Sequence, residues 1–351
     1  MPVYHPLGQE LVSRDEFLTR VAEVESTAFD VGTVPVGDGV RPFADIDFGK
    51  PLNVLLRRVY TGKFPEKRLL NARKPMLITS AIKDISTTSA SAQAVNVLKQ
   101  SVSPRSVFSG PGAREEGTAV VYYSPAVVSS LITISVQMIF DDFDEELFTR
   151  ASQLFGNLAG VPIFVPASGY LLGASSILKL ASDVGGAIFS GHPALDESIE
   201  LDFSFGGGSI PQPGFWVLSP APLDRKRYQF DSTSGLMDKS TGRAYDGDDP
   251  IVVLSIDGST QPTLTNFTPL LASAGLLGRF FGQKQGTEVV MDSLLSAVKL
   301  YNDFTYRMKA EELQQQIATL PATNDARKKL QQQIDALNAS ITETRLRLPK
   351  T

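Results

Sequence analysis

The chain lacks cysteine altogether and has two histidines, His5 and His192, among its 351 residues. The missing cysteines exclude disulfide bonds, thiol nucleophiles and cysteine-ligated zinc. A serine hydrolase needs a positioned histidine base, but no Gly-x-Ser-x-Gly motif is present, and His5 lies near a terminus that we expect to be mobile. These absences favour a nonenzymatic protein and leave a hydrolase that uses Asp or Glu side chains as an alternative.

Nucleotide-binding motifs and an excess of positive charge are also missing. No Walker A sequence is present and no Gly-x-Gly-x-x-Gly run opens a helix, so the sequence predicts no nucleotide cofactor, and nothing in it indicates another cofactor. The formal net charge of −5 argues against a nucleic-acid partner. Residues 1–29 carry charges throughout and lack the apolar run of a secretory signal, which favours a cytoplasmic location.

Alternating apolar residues mark the clearest strands. In Leu131–Phe140 every second residue is apolar, and the intervening positions are mostly polar, which is typical of a strand with one buried face. Residues 199–205 show the same alternation, and 118–123, 215–218 and 251–256 are further short strand-like runs. Half-buried strands are typical of antiparallel sheets, so we expect an α+β protein built on an antiparallel β-sandwich with inserted helices.

Between these strands the composition predicts helices and loops. Ser13 and Glu16 form a capping box that predicts an amphipathic helix over residues 13–29. Glycine, proline, serine and charged residues predict surface loops at 101–117 and 224–249, where trypsin should cut first. Residues 87–99 have a loop-like beginning, and residues 92–99 fit a short helix.

An apolar stretch, residues 168–189, is the most ambiguous segment of the sequence. It is long enough to cross a bilayer, but it contains a Lys179–Asp183 pair together with serines and glycines. A helix buried against a sheet is the favoured interpretation, because membrane-spanning helices are normally purer apolar runs. The alternative is a membrane-active effector that inserts this segment after a trigger.

The C-terminal part reads as two helices, residues 287–319 and 325–346, with a break around Pro321. Apolar residues at spacings of three and four form a seam on each helix, which predicts an antiparallel helical hairpin with coiled-coil character. A seam of this kind needs cover from the sandwich, a second copy of the chain or another protein, and we expect a partner or a second copy. The interaction residues predicted in this way are Leu313, Ile317, Leu320, Leu330, Ile334, Leu337 and Ile341.

An acidic loop before the last strand contains three aspartates, Asp246, Asp248 and Asp249, followed by Pro250. Clustered carboxylates can bind calcium, but Pro250 stands where an EF-hand would have a ligand and no glutamate closes the loop. The Asp-Pro step leading into a strand resembles the calcium-binding loops of C2 domains, which implies a C2-like sandwich. We favour a solvated turn and expect no high-affinity calcium site, so the three aspartates are metal candidates of second choice.

These patterns together predict a β-rich domain over residues 1–286 and a helical hairpin over residues 287–351. The predicted function is that of a nonenzymatic binding or scaffold protein, with a protein partner or homo-oligomer held by the hairpin. No nucleic acid is expected, and a membrane partner is possible in principle but not favoured.

Overall fold

The computed structural model describes residues 3–23, 33–36, 39–64, 73–84, 92–111, 117–141, 143, 148, 164–166, 193–203, 211–261, 291–321 and 325–349. All pairs of strands in these residues are antiparallel, and a single parallel bridge joins Phe48 to Val127. The predicted α+β class with antiparallel sheets is therefore confirmed. The apolar segment 168–189 lies outside the described residues.

Strand is the commonest secondary structure of the described chain. The strands are β1 Val3–Leu7, β2 Glu10–Ser13, β3 Thr33–Val36, β4 Gly39–Pro42, β5 Leu52–Tyr60, β6 Lys74–Asp84, β7 Ala92–Val102, β8 Val107–Ser109, β9 Val120–Ser124, β10 Leu131–Phe140, β11 Phe164–Pro166, β12 Leu195–Asp202, β13 Gly214–Leu218, β14 Tyr228–Asp231, β15 Gly235–Asp238 and β16 Ile251–Asp257. The helices are α1 Arg14–Glu23, α2 Met291–Ala318 and α3 Asp325–Ser340, followed by a 3₁₀ turn, Thr344–Leu346. The amide of Glu16 donates to the hydroxyl of Ser13, as the capping box predicts.

Two sheets form the body of the protein. A seven-stranded sheet has the order β2-β1-β13-β16-β5-β8, and β9 pairs with the other end of β5. A five-stranded sheet has the order β11-β7-β6-β10-β12. The strands β5 and β16, at the centre of the larger sheet, come from distant parts of the sequence.

One apolar cluster lies between these elements. It contains inward side chains of both sheets, such as Val54 of β5, Ile78 of β6 and Ile134 of β10, and side chains of α2 and α3 such as Leu313 and Ile334. A second, smaller cluster packs the hairpin of β14 and β15 against the seven-stranded sheet. The C-terminal helices therefore contribute to the same buried core as the sheets.

The prediction of a loop or short helix over residues 92–99 is wrong, because this segment belongs to β7. A bulge at Asn96 places Val95 and Val97 opposite neighbouring residues of β6, which interrupts the alternation that would identify a strand. The Asn96 amide donates to the carbonyl oxygens of Thr118 and Val120, at 3.1 and 3.3 Å. The bulge therefore ties the five-stranded sheet to the chain that enters β9.

The long polar connection predicted over residues 224–249 is also incorrect, because it contains β14 and β15. Tyr228, Phe230 and Leu236 are buried against the seven-stranded sheet. Each strand has four residues, too few to show a clear period in a polar context. Residues 101–117 likewise contain the end of β7 and the short strand β8, and 112–116 lie outside the described part.

Candidate functional site

The predicted interaction residues of the C-terminal helices are brought together by the structure. Leu320 is half-buried, and the other members of the set are buried in the core cluster shared with the sheets: Leu313, Ile317, Leu330, Ile334, Leu337 and Ile341. Their cover therefore comes from within the chain. A partner that binds this region must use a different face of the helices.

The C-terminal helices are fixed by a buried carboxylate on α2. The Asp303 side chain accepts hydrogen bonds from the amide and the hydroxyl of Thr342, at 3.0 and 2.7 Å, and from the amide of Glu343, at 2.7 Å. These donors lie just beyond the end of α3, so one side chain of α2 holds the chain as it leaves α3. Three donors around a carboxylate compensate for its loss of hydration.

The loop before β5 joins the same helices to the seven-stranded sheet. Gly49 has a φ of +78°, and a β-carbon there would lie 3.1 Å from the carbonyl oxygen of Gln333 in α3. The ammonium group of Lys309 in α2 lies 5.6 Å from the centre of the Phe48 ring. Both contacts hold the inner side of the helices against the sheet.

The opposite face of α2 carries three large apolar side chains, which we call the α2 stripe. Leu300, Phe304 and Met308 are 54%, 51% and 54% exposed. Successive members are four residues apart, so their side chains lie along one face of the helix. Sequence analysis missed the stripe because the seam, which lies on the other face of α2, accounted for the apolar pattern. The spacing of Leu300, Phe304 and Met308 is the signal that would have revealed it.

The acidic loop before β16 is held by lysine and arginine side chains of the protein. The Asp248 carboxylate pairs with Arg105 and lies 3.8 Å from the ammonium group of Lys63. The hydrogen bond from Arg105 lowers the pKa of Asp248 below its ordinary value. Asp246 lies 3.4 Å from the guanidinium of Arg227. Among the described residues, no three His, Asp or Glu side chains are grouped so that they would hold a metal ion. The expectation that Asp246, Asp248 and Asp249 form no high-affinity calcium site stays a prediction.

A small, shallow cleft lies beside this loop. Its lining includes Arg58 and the rings of Tyr60 and Tyr245. The Arg58 guanidinium donates to the carbonyl oxygens of Thr233 and Ser234 in the turn between β14 and β15. The cleft therefore marks the place where the β14–β15 hairpin is hydrogen-bonded to β5. The guanidinium of Arg58 already has its partners within the protein.

His5 and Glu197 are ionisable side chains buried on strands of the two sheets. His5 is 4% exposed within β1, so the expectation of a mobile histidine near the terminus is wrong. Glu197 lies on the inward side of β12, and its Oε2 atom has no hydrogen-bond partner in the structure. Burial raises the pKa of Glu197 and lowers the pKa of His5 to about 3. His192 lies outside the described residues.

Comparison with known proteins gives no function for this chain, so a function has to be argued from its own residues. No protein-family model, no curated protein and no solved structure matches this sequence or fold. Within the part of the chain that the structure describes, no helix has the length and apolar character needed to cross a membrane.

Proposed function

We propose that this chain is a nonenzymatic binding or scaffold protein that contacts a partner protein through the α2 stripe. In this proposal α2 and α3 form an antiparallel hairpin, and the two sheets form a C2-like sandwich that carries it. The observation that supports the proposal is the exposure of Leu300, Phe304 and Met308 on a helix whose other face is committed to the core. Single exposed apolar side chains are common on protein surfaces, but three aligned ones form a patch.

The partner's surface follows from the chemistry of the α2 stripe. Anchors four residues apart on a helix fit an apolar groove or the apolar face of a second helix. Arg307 and Glu311 pair with each other at 2.8 Å beside the stripe and place one charge of each sign at its rim. We therefore expect the partner to present an amphipathic helix with apolar residues at the same spacing and a polar margin.

The size of the α2 stripe sets the strength of binding. Three half-exposed large side chains supply roughly 300 Å² of apolar surface, compared with about 800 Å² per partner in a standard stable interface. An interface of this size belongs to the class of weak, transient complexes. A tighter complex requires further contacts around the stripe.

The test uses a photo-crosslinking amino acid at position 304, with a matched probe at the exposed Gln332 of α3 as the control. A partner captured from position 304 and not from 332 is then purified and titrated against the protein. We expect Phe304→Glu to weaken that binding at least tenfold and Leu18→Glu, which changes an exposed leucine of α1, to leave it unchanged.

Three outcomes would overturn the proposal. They are equal capture from both positions, equal binding by both variants, and capture of a second copy of the chain alone. Size-exclusion chromatography with light scattering identifies the last of these, because self-association depends on the concentration of the purified chain.

A further inference from the structure

The environment of His5 is built from rings contributed by two other elements. Its imidazole stacks on Phe17 of α1, with 4.2 Å between ring centres and 15° between planes. The ring centre of Trp216 in β13 lies 4.1 Å from that of His5, and the two ring planes meet at 74°. Along β1 the residue is paired with Val12 of β2. His5 is therefore enclosed between α1 and the seven-stranded sheet, to which its own strand belongs. We call β1, β2 and α1 together the N-terminal layer.

No described carboxylate forms an ion pair with this imidazole. Arg14, at the start of α1, acts on it by charge repulsion, and β13 carries no titratable side chain. Two acidic groups of the layer are committed elsewhere, since Glu10 pairs with Arg20, and Glu16 pairs with Arg20 and with Arg225. Asp15, in the first turn of α1, is exposed to solvent. A proton gained by His5 would thus create a positive charge among apolar rings, with another positive charge nearby.

We propose that the N-terminal layer is an acid-sensitive latch, in which protonation of His5 releases α1 from the seven-stranded sheet. An imidazolium in this position loses its hydration and has no anion to replace it. Movement of α1 removes Phe17 from one side of the ring and returns His5 to water. The released helix exposes Phe17 beside Leu18, which is already 40% exposed, and so creates an apolar surface that is hidden at neutral pH.

The pH range of the latch follows from linkage. Burial, with a smaller contribution from Arg14, lowers the pKa of His5 to about 3 from its ordinary value near 6.5. A histidine whose folded-state pKa is lowered favours the opened form as the pH falls below 6.5. Between pH 7 and pH 5 the ratio of opened to closed protein should rise roughly 25-fold.

Ion pairs at the surface oppose this release. Arg14 lies 3.6 Å from Glu200 of β12, and Glu16 accepts a hydrogen bond from Arg225 that lowers the pKa of its carboxylate. Because the lowered pKa keeps the Glu16 carboxylate ionised in mild acid, its pair with Arg225 continues to restrain α1 while His5 gains its proton. Protonation of Glu16 at lower pH would remove this restraint.

Trp216 is the sole tryptophan of the chain and touches His5, so its fluorescence reports directly on the latch. We expect its emission to shift to the red and its quenching by iodide to increase between pH 7 and pH 4.5, while far-ultraviolet circular dichroism shows the sheets intact. In His5→Leu the change should be absent over this range. In Glu197→Gln it should persist, which separates the effect of His5 from that of a second buried ionisable group.

An NMR titration of the imidazole keeps the test decisive if His5→Leu fails to fold. His192→Gln assigns the two histidine signals, and the His5 signal should shift together with the Trp216 emission. A His5 that titrates near pH 6.5 while Trp216 stays protected would overturn the proposal. So would a Trp216 transition that is unchanged in His5→Leu, or one that coincides with loss of the whole fold.

Discussion

Helix α1 of the N-terminal layer and the C-terminal helices are held against the sheets by different chemistry. The C-terminal helices bury apolar side chains in the shared core and keep one buried carboxylate, Asp303, which three donors satisfy. The N-terminal layer holds α1 by exposed ion pairs and by the rings around His5, a group that burial keeps neutral. The two attachments differ in their buried ionisable group: the charged form of Asp303 has three donors, whereas a charged His5 would have no partner among the described residues.

The largest effect is expected from a charge placed in the core of the C-terminal helices. Ile334→Asp buries a carboxylate in the cluster shared by helices and sheets, and should lower the free energy of unfolding by more than about 4 kcal/mol. We expect the helical and sheet signals in circular dichroism to be lost together on denaturation. Ile334→Val is the matched control, at about 1 kcal/mol. Loss of the helical signal with intact sheets would instead support an independent hairpin.

Removal of the satisfied carboxylate should have the next largest effect. Asp303→Ala leaves the donors on Thr342 and Glu343 without an acceptor and should cost about 3 kcal/mol of unfolding free energy. Asp335→Ala, on the exposed side of α3, should cost less than about 0.5 kcal/mol. Urea denaturation of both variants measures the difference. Equal effects would mean that Asp303 does not anchor the end of α3.

A smaller effect of opposite sign is expected at Glu197. Its pKa is raised in the folded protein, so its ionisation destabilises the fold as the pH rises above the ordinary range of a glutamate. Glu197→Gln should therefore stabilise the protein by about 1 kcal/mol at pH 7, with the gain lost in acid where the wild-type side chain is protonated. Thermal unfolding at several pH values tests this, and Glu200→Gln on the exposed side of β12 should show no such gain.

The smallest effect is expected from the ion pairs of α1. Glu16→Gln removes the carboxylate that pairs with Arg20 and Arg225, and should cost at most about 1 kcal/mol, because exposed ion pairs are screened by water and salt. The cost should shrink at high salt. A cost that is large and independent of salt would show that α1 is attached more strongly than its surface contacts suggest, which would also weaken the proposal of an acid-sensitive latch.

The sequence predicts those elements whose pattern is local. Period-two alternation identifies β10 and β12 and reveals the antiparallel class, and the spacing of Leu313 and Ile317 identifies a buried helix face. It misses β7, because the bulge at Asn96 shifts the pattern, and it misses β14 and β15, because each is short and lies among charged residues.

The candidate sites were harder to predict than the fold, because they depend on which elements meet. An apolar seam shows that a helix face is buried, but not whether a partner or the same chain covers it. The α2 stripe and the seam share one helix, and nothing local tells the buried face from the exposed one. The enclosure of His5 depends on Trp216, which is more than 200 residues away in the sequence. The domain boundary at residue 286 stays a prediction, since 262–290 lie outside the described residues.

The pairing of β5 with β16 has a consequence for the order in which the protein folds during synthesis. Tyr60 pairs with Ile251, so the centre of the seven-stranded sheet joins residues separated by about 190 positions. At ribosomal rates of about 5–20 residues per second, β5 leaves the ribosome roughly 10–40 s before its central partner. Strands β6, β7, β10 and β12 of the five-stranded sheet are all synthesised by residue 202, within that interval. The smaller sheet can therefore form first, and the apolar side of β5 has to be protected from other nascent chains until β16 arrives.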